Sequence, residues 1–328
     1  MKKWLIFVVF NFGFLLAACG GGGGGHGGGG FIPGPPPGPT STPATPTPTP
    51  APASQGTVYL GGVHNGQYAI VAYDADGNAR SLSGSFSGLQ DYPMLAFDSA
   101  NSLLYTRNSG SSGSFTIDAF TTQGQTQSLP GSWSGLTNSC GDIVYDSHNG
   151  LLYTPNYVAG ACTMFVYDAN GNRQAQPSGA WSGMLQPYQI AFDPHNDLLY
   201  VTGASSVQVW NESGQNVTPA GAFANLPTSA NVTVQGITFD SHNDLLYVGE
   251  SDGTILSYDE SGNVKSQKQW PGVFTPDRMA FNPDNDEIYI TEQDGPFRVT
   301  IYDESGNQKT VANTWSGINN VSSIAIVP

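Results

Sequence analysis

"AFDPHNDLLYVTG", residues 191–203, places Asp193, His195 and Asp197 within five positions, beside side chains that favour strands. Taken alone, the three polar residues read as a metal or acid–base cluster. Set against the rest of the chain, they are one copy of a repeated turn. The hydrophobic–aromatic–Asp element recurs as "LAFD" 95–98, "IVYD" 143–146, "IAFD" 190–193, "ITFD" 237–240 and "MAFN" 279–282. A short polar turn follows each, then "LLY" or its equivalent, ending at Tyr105, Tyr153, Tyr200, Tyr247 and Tyr289. A third element closes on turns such as "YDADGN" 73–78, "YDANGN" 167–172 and "YDESGN" 258–263 and 302–307. A fourth region carries aromatic–small–Gly–apolar: "FSGL" 86–89, "WSGL" 133–136, "WSGM" 181–184, "FANL" 223–226, "WPGV" 270–273 and "WSGI" 315–318.

The repeat length is about 42 to 48 residues. Each unit offers four short stretches rich in Val, Ile, Tyr, Phe and Thr between Asn, Asp and Gly turns, and no segment shows a 3.6-residue apolar period. One four-stranded antiparallel sheet cannot bury both of its faces, so the sheets must pack around an axis as the blades of a β-propeller. "SSIAIVP" 322–328 is a first strand without a partner, and "TVYLGG" 57–62 is a second strand without a first. Joined, they complete a sixth blade and remove the free edges of the ring. The predicted fold is therefore all-β: a six-bladed propeller of four-stranded blades, closed by N- and C-terminal strands in one blade.

"PYQIAFDPHNDLLYVTG" 187–203 with "VQVWNESG" 207–214 resembles an NHL repeat in the order of its Pro, first strand, turn and third-strand Asx-x-x-Gly. The resemblance runs from about residue 57 to 328. It implies the architecture, while propellers of this kind host binding, scaffolding and enzymatic activities alike.

The ends suggest a destination. Residues 1–18 combine Lys2-Lys3, a short apolar run and small residues, as a secretory leader does. "LAAC" 16–19 resembles a bacterial lipobox, with Cys19 the lipidated first residue of the mature chain, and Gly20 resembles lipoproteins sorted to the outer membrane. Residues 19–56, "GGGGGHGGGG" followed by a Pro/Thr-rich run, form a disordered linker, and residues 57–328 the propeller. The expected localisation is extracytoplasmic, periplasmic or surface-exposed, with the membrane touched only through the lipid. Loss of Lys2 and Lys3 takes the net charge from −15 to −17, which repels nucleic acid. In an oxidising compartment the remaining cysteines, Cys140 and Cys162, are expected to pair as a disulfide.

His148, His195 and His242 occupy one turn position in three successive units, where Ala100 and Asp284 stand in two others. Equivalent turns lie apart around a rim, so these residues are read as turn components and no metal site is expected. Residues leading into the first strands converge on the pore mouth: Asp142, Gln189, Asp277 and Arg278, with Arg107 in the 106–114 connector on the same face. The recurring Trp133, Trp181 and Trp315 either pack between blades or offer aromatic platforms to sugars. The second-to-third strand connectors, 106–114 and 154–162 with Tyr157, vary on a constant frame, as binding loops do. The expected function is a non-catalytic binding or scaffolding module for an envelope protein or glycan, without a cofactor. The alternative is a metal-dependent hydrolase resembling gluconolactonases, with Ca2+ held by Asp142, Asp277 and Asp91 at the pore mouth.

Overall fold

The computed structural model describes residues 56–109, 115–137, 141–203, 205–226, 232–292, 297–310 and 315–328. The chain divides into two units, Met1–Ala51 and Pro52–Pro328. The first, where the leader and the lipidated Cys19 are expected, lies outside the described residues.

Every regular element among the described residues is a strand, and the strands form six antiparallel sheets. Their inner strands, numbered here as sheets one to six, are Met94–Asp98, Val144–Asp146, Ile190–Asp193, Val234–Asp240, Pro276–Asn282 and Asn319–Val327. Each inner strand touches the inner strand of the next sheet, and the last touches the first. That closed ring is a β-propeller. Sheet six joins the two ends of the domain: Val58 faces Ile326, Tyr59 faces Ala325 and Leu60 faces Ile324.

The outer strands depart from the expectation. Among the described residues only Val264–Gln269 is a full fourth strand; Thr126–Gln127 and Gln308–Lys309 have two residues each, and three other sheets have a single bridge there. The reason lies in the side chains. An outermost strand has little apolar surface to cover, and in "VKSQKQ" Val264 and Ser266 are partly buried while the other four residues are exposed. Short polar edges also resist pairing with other chains.

Six apolar clusters lie one at each seam between adjacent sheets. Two repeated motifs meet there. The aromatic of "WSG" ends one sheet, and its backbone N–H bonds to the Gly carbonyl in the outer hairpin of the next: Trp133 to Gly171 at 3.1 Å, Trp181 to Gly214 at 2.7 Å and Phe223 to Gly262 at 2.9 Å. The ring then lies on that glycine. A methyl on Gly171 would stand 2.9 Å from the Trp133 ring, and its φ of 84° also favours glycine. Hence "DxxGN" and "WSG" recur together: each is the other's partner across a seam.

The turns after the inner strands share one design. Asp146, Asp193 and Asp240 are fully buried, and each accepts N–H bonds from the second and third residues onward, the first of them at 2.8–2.9 Å. These are Asx turns. Asp197, Asp244 and Asp286, at the end of such turns, take φ of 53–55°, a left-handed geometry that Asp tolerates better than most residues.

Candidate binding face

Inner strands begin on one face of the ring, here the leading face, and end on the trailing face. A polar partition closes the pore between them. Gln189, leading into sheet three, donates Nε2–H to Met279 O at 2.9 Å and accepts from Ile237 N–H at 2.9 Å and Met279 N–H at 3.3 Å. One side chain thereby ties sheets three, four and five. Arg278 of sheet five donates Nε–H to Ser322 O in sheet six at 2.6 Å and Nη1–H across the ring to Tyr188 O at 3.0 Å. Arg107 donates to Gly141 O and lies over the Phe115 ring at 5.5 Å.

Asp142, Asp277, Gln189, Arg107 and Arg278 are all buried. Burial pushes the Asp142 and Asp277 carboxyls up, and the Arg278 charge pulls both back. Burial lowers the Arg107 guanidinium to about 10, opposed by Asp142 and Asp91. The structure places these residues in and around the partition. Gln189, Arg278 and Arg107 brace the ring there, while Asp277 and Arg278 also line the floor of a basin.

Below the partition is a cavity of about 340 Å³, walled largely by inner-strand apolar side chains such as Ile143, Ile190 and Phe239 and reaching the trailing face at Ser147 and Pro194. Phe192 is half-buried and lines this cavity, whereas Leu199 is fully buried. Above the partition is an open basin of about 600 Å³, lined by Tyr92, Met94, Tyr188, Gln235, Asp277, Arg278 and Asn320–Ser322. Tyr188 is 45% exposed and Tyr92 37%, with Tyr68 edge-on to Tyr92 at 5.1 Å. These tyrosines were not singled out by the repeat, because a Tyr occurs beside Pro in only two connectors, "DYP" 91–93 and "PYQ" 187–189.

The sugar-platform expectation for the tryptophans is corrected. Trp133, Trp181 and Trp315 are 6%, 2% and 3% exposed, since each ring fills a seam. The connector at 154–162 is also not a loop. Its strands run Leu151–Val158 and Ala161–Asp168, and the turn is Ala159-Gly160, both at positive φ, as tight hairpins require. Tyr157 stands 43% exposed on that projecting hairpin, opposite Cys162. Cys162 is disulfide-bonded; Cys140, like the 110–114 part of the other connector, lies outside the described residues.

The hydrolase alternative needs acidic ligands to converge. Among the described residues the one His/Cys/Asp/Glu group within ligand range is His148, Asp197 and Glu212, on the trailing face. Asp91, Asp142 and Asp277 form no such group. The three histidines also do more than turn the chain: each reaches the Asp at the end of the next sheet's turn, His148 to Asp197 at 2.6 Å, His195 to Asp244 at 2.6 Å, and His242 to Asp286. Three rungs thus link sheets two to five.

At the end of three second strands a polar residue holds the connector leading into its sheet: Asn108 accepts from Gln90 N–H, Asn156 from Thr137 N–H and Glu292 from Phe274 N–H. Glu250 occupies the same position, buried, with Oε1 unpartnered. Burial and the Asp252 charge push its carboxyl from 4.5 to about 7. Because the folded value exceeds the unfolded one, the stability Glu250 allows below about pH 4.5 is lost as pH rises through about 7. Urea unfolding at pH 5 and pH 8 should show Glu250→Gln gaining about 1–3 kcal/mol over the parent at pH 8 and little at pH 5.

No protein-family model and no curated protein matches the chain. Among solved structures, a chain in a crystal structure of a nidogen/laminin complex superposes with a TM-score of 0.61 at 14% identity. The match covers 83% of this chain and 98% of that one. At that identity the likeness is one of fold.

Proposed function

We propose that this propeller is a non-catalytic binding module of the cell envelope, NHL-like in its repeat, tethered through Cys19 and a Gly/Pro/Thr-rich linker to the outer membrane. It engages a protein partner through its leading face. The observation that carries this reading is the open basin rimmed by Tyr92 and Tyr188 above a floor that the Gln189 and Arg278 bridges hold rigid. Half-exposed tyrosines contribute large contact area at low entropic cost, and their hydroxyls remain available for hydrogen bonds. A pre-organised floor lowers the cost of association. Burial of the seam tryptophans favours a protein over a sugar polymer as partner, since the platforms that would stack on sugars face inward. The solved neighbour is itself part of a protein–protein complex, which agrees with this use of the fold.

The Tyr92 and Tyr188 side chains are exposed, and the bonds of Tyr188 to Arg278 and Thr202 use its backbone, so truncating them should spare the fold. A Tyr92→Ala/Tyr188→Ala double variant should lose its envelope partner in pull-down by at least about tenfold, with an unchanged circular dichroism melt. Undiminished capture by the double variant contradicts the assignment of this face.

A further inference from the structure

We propose that the trailing-face seam between sheets two and three binds one divalent first-row transition-metal ion of the zinc type, held by His148, Asp197 and Glu212 with Asp146 beneath them. The three donors come from separate turns: the first turn of sheet two, the first turn of sheet three and the outer hairpin of sheet three. His148 Nδ1 lies 2.6 Å from Asp197 Oδ1 and 4.0 Å from Glu212 Oε1, and all three donor atoms lie within 4.8 Å of one another. An ion about 2.0–2.2 Å from each donor fits among them once the closest pair opens and the widest closes. The side chains are 32–63% exposed, which leaves them free to adjust.

A second observation sets this seam apart from its sisters. Asp146 is fully buried, and its Oδ1 accepts the N–H groups of His148 and Asn149. Its Oδ2 has no hydrogen-bond partner. In the equivalent turns Asn101, Asn196 and Asn243 each donate to the matching oxygen of Asp98, Asp193 and Asp240, at 2.8, 3.2 and 3.2 Å. Asn149 makes no such bond: it donates to Tyr153 Oη at 3.0 Å and, as Asn196 does to Glu260, to the carboxylate of the next outer hairpin, Glu212 Oε1 at 2.8 Å. The buried Oδ2 of Asp146 is therefore left without the amide donor that its counterparts have. A cation resolves that arrangement, because it accepts electron pairs from several carboxylates at once. The imidazole selects the metal class: Ca2+ and Mg2+ prefer oxygen donors throughout, whereas zinc-type ions take His with carboxylates.

Isothermal titration of the full chain with ZnCl2, after stripping with EDTA and desalting, tests the site. The expected result is one saturable site that His148→Gln and Glu212→Gln each weaken by at least about tenfold, with Asp146→Asn lowering affinity by roughly 10–100-fold. His195→Gln, which breaks the sister rung to Asp244, should leave binding unchanged. Circular dichroism of each variant separates loss of the site from loss of the fold. No saturable binding by the folded parent, binding that survives both His148→Gln and Glu212→Gln, or equal loss in His195→Gln overturns the proposal.

Discussion

Trp181→Ala lowers the unfolding free energy by about 3–5 kcal/mol, the range for deleting a large buried aromatic. Trp181 is 2% exposed at the seam of sheets two and three. Its ring lies 5.5 Å from Trp210 and 5.9 Å, edge-on, from Tyr153. Its backbone N–H also anchors Gly214 O, in the hairpin of the next sheet. Alanine removes the ring from both sheets and leaves a cavity that rigid strands cannot close. At roughly 2–4 °C per kcal/mol for a domain of this size class, the melting temperature should fall by about 10 °C. A loss below about 1 kcal/mol would show that the seam does not depend on its aromatic wedge.

Arg278→Met is expected to cost about 3–5 kcal/mol, for an electrostatic reason rather than a packing one. Arg278 supplies the positive charge that offsets buried Asp142 and Asp277. It also bridges Ser322 O and Tyr188 O. Methionine keeps much of the volume and removes the charge. Both carboxyls already sit above their ordinary range in the folded state, and losing the arginine raises them further. An acid with a raised folded value is penalised at higher pH and relieved as pH falls through that value. The deficit of Arg278→Met should therefore be larger at pH 8 than at pH 5, and adding Asp142→Asn should recover part of it. Chemical denaturation at the two pH values measures both effects. A pH-independent deficit, untouched by Asp142→Asn, points to packing instead.

Much of the architecture is legible in the repeat because inner-strand alternation, Asx caps and hairpin glycines are local and recur once per sheet. "TVYLGG" 57–62 and "SSIAIVP" 322–328 reveal the closure for the same reason: each is a recognisable fragment of a known unit. The Gly171–Trp133 clasp was written in two motifs that look independent until the sheets are placed side by side. The His–Asp rungs were equally available, since His148, His195 and His242 each precede an Asp one repeat on, at Asp197, Asp244 and Asp286. Their pairing needs the radial order of turns, which the alternation pattern along one strand does not contain. Recurrence alone also could not tell whether Trp133, Trp181 and Trp315 face a seam or solvent.

The partition is the feature least visible to pattern. Gln189 and Met279 are ninety residues apart, and the positions that brace the pore hold a different residue in each sheet. Periodicity marks only what repeats. The basin above the partition is assembled from those exceptions, and so is the binding surface assigned to it.

In-cell photo-crosslinking tests that surface most directly. A photoreactive residue is placed in turn at Tyr188, on the leading face, and at Ser241, on the trailing face. A discrete adduct with an envelope protein from position 188, absent from position 241, is the expected result. An adduct from position 241 with none from position 188 contradicts it.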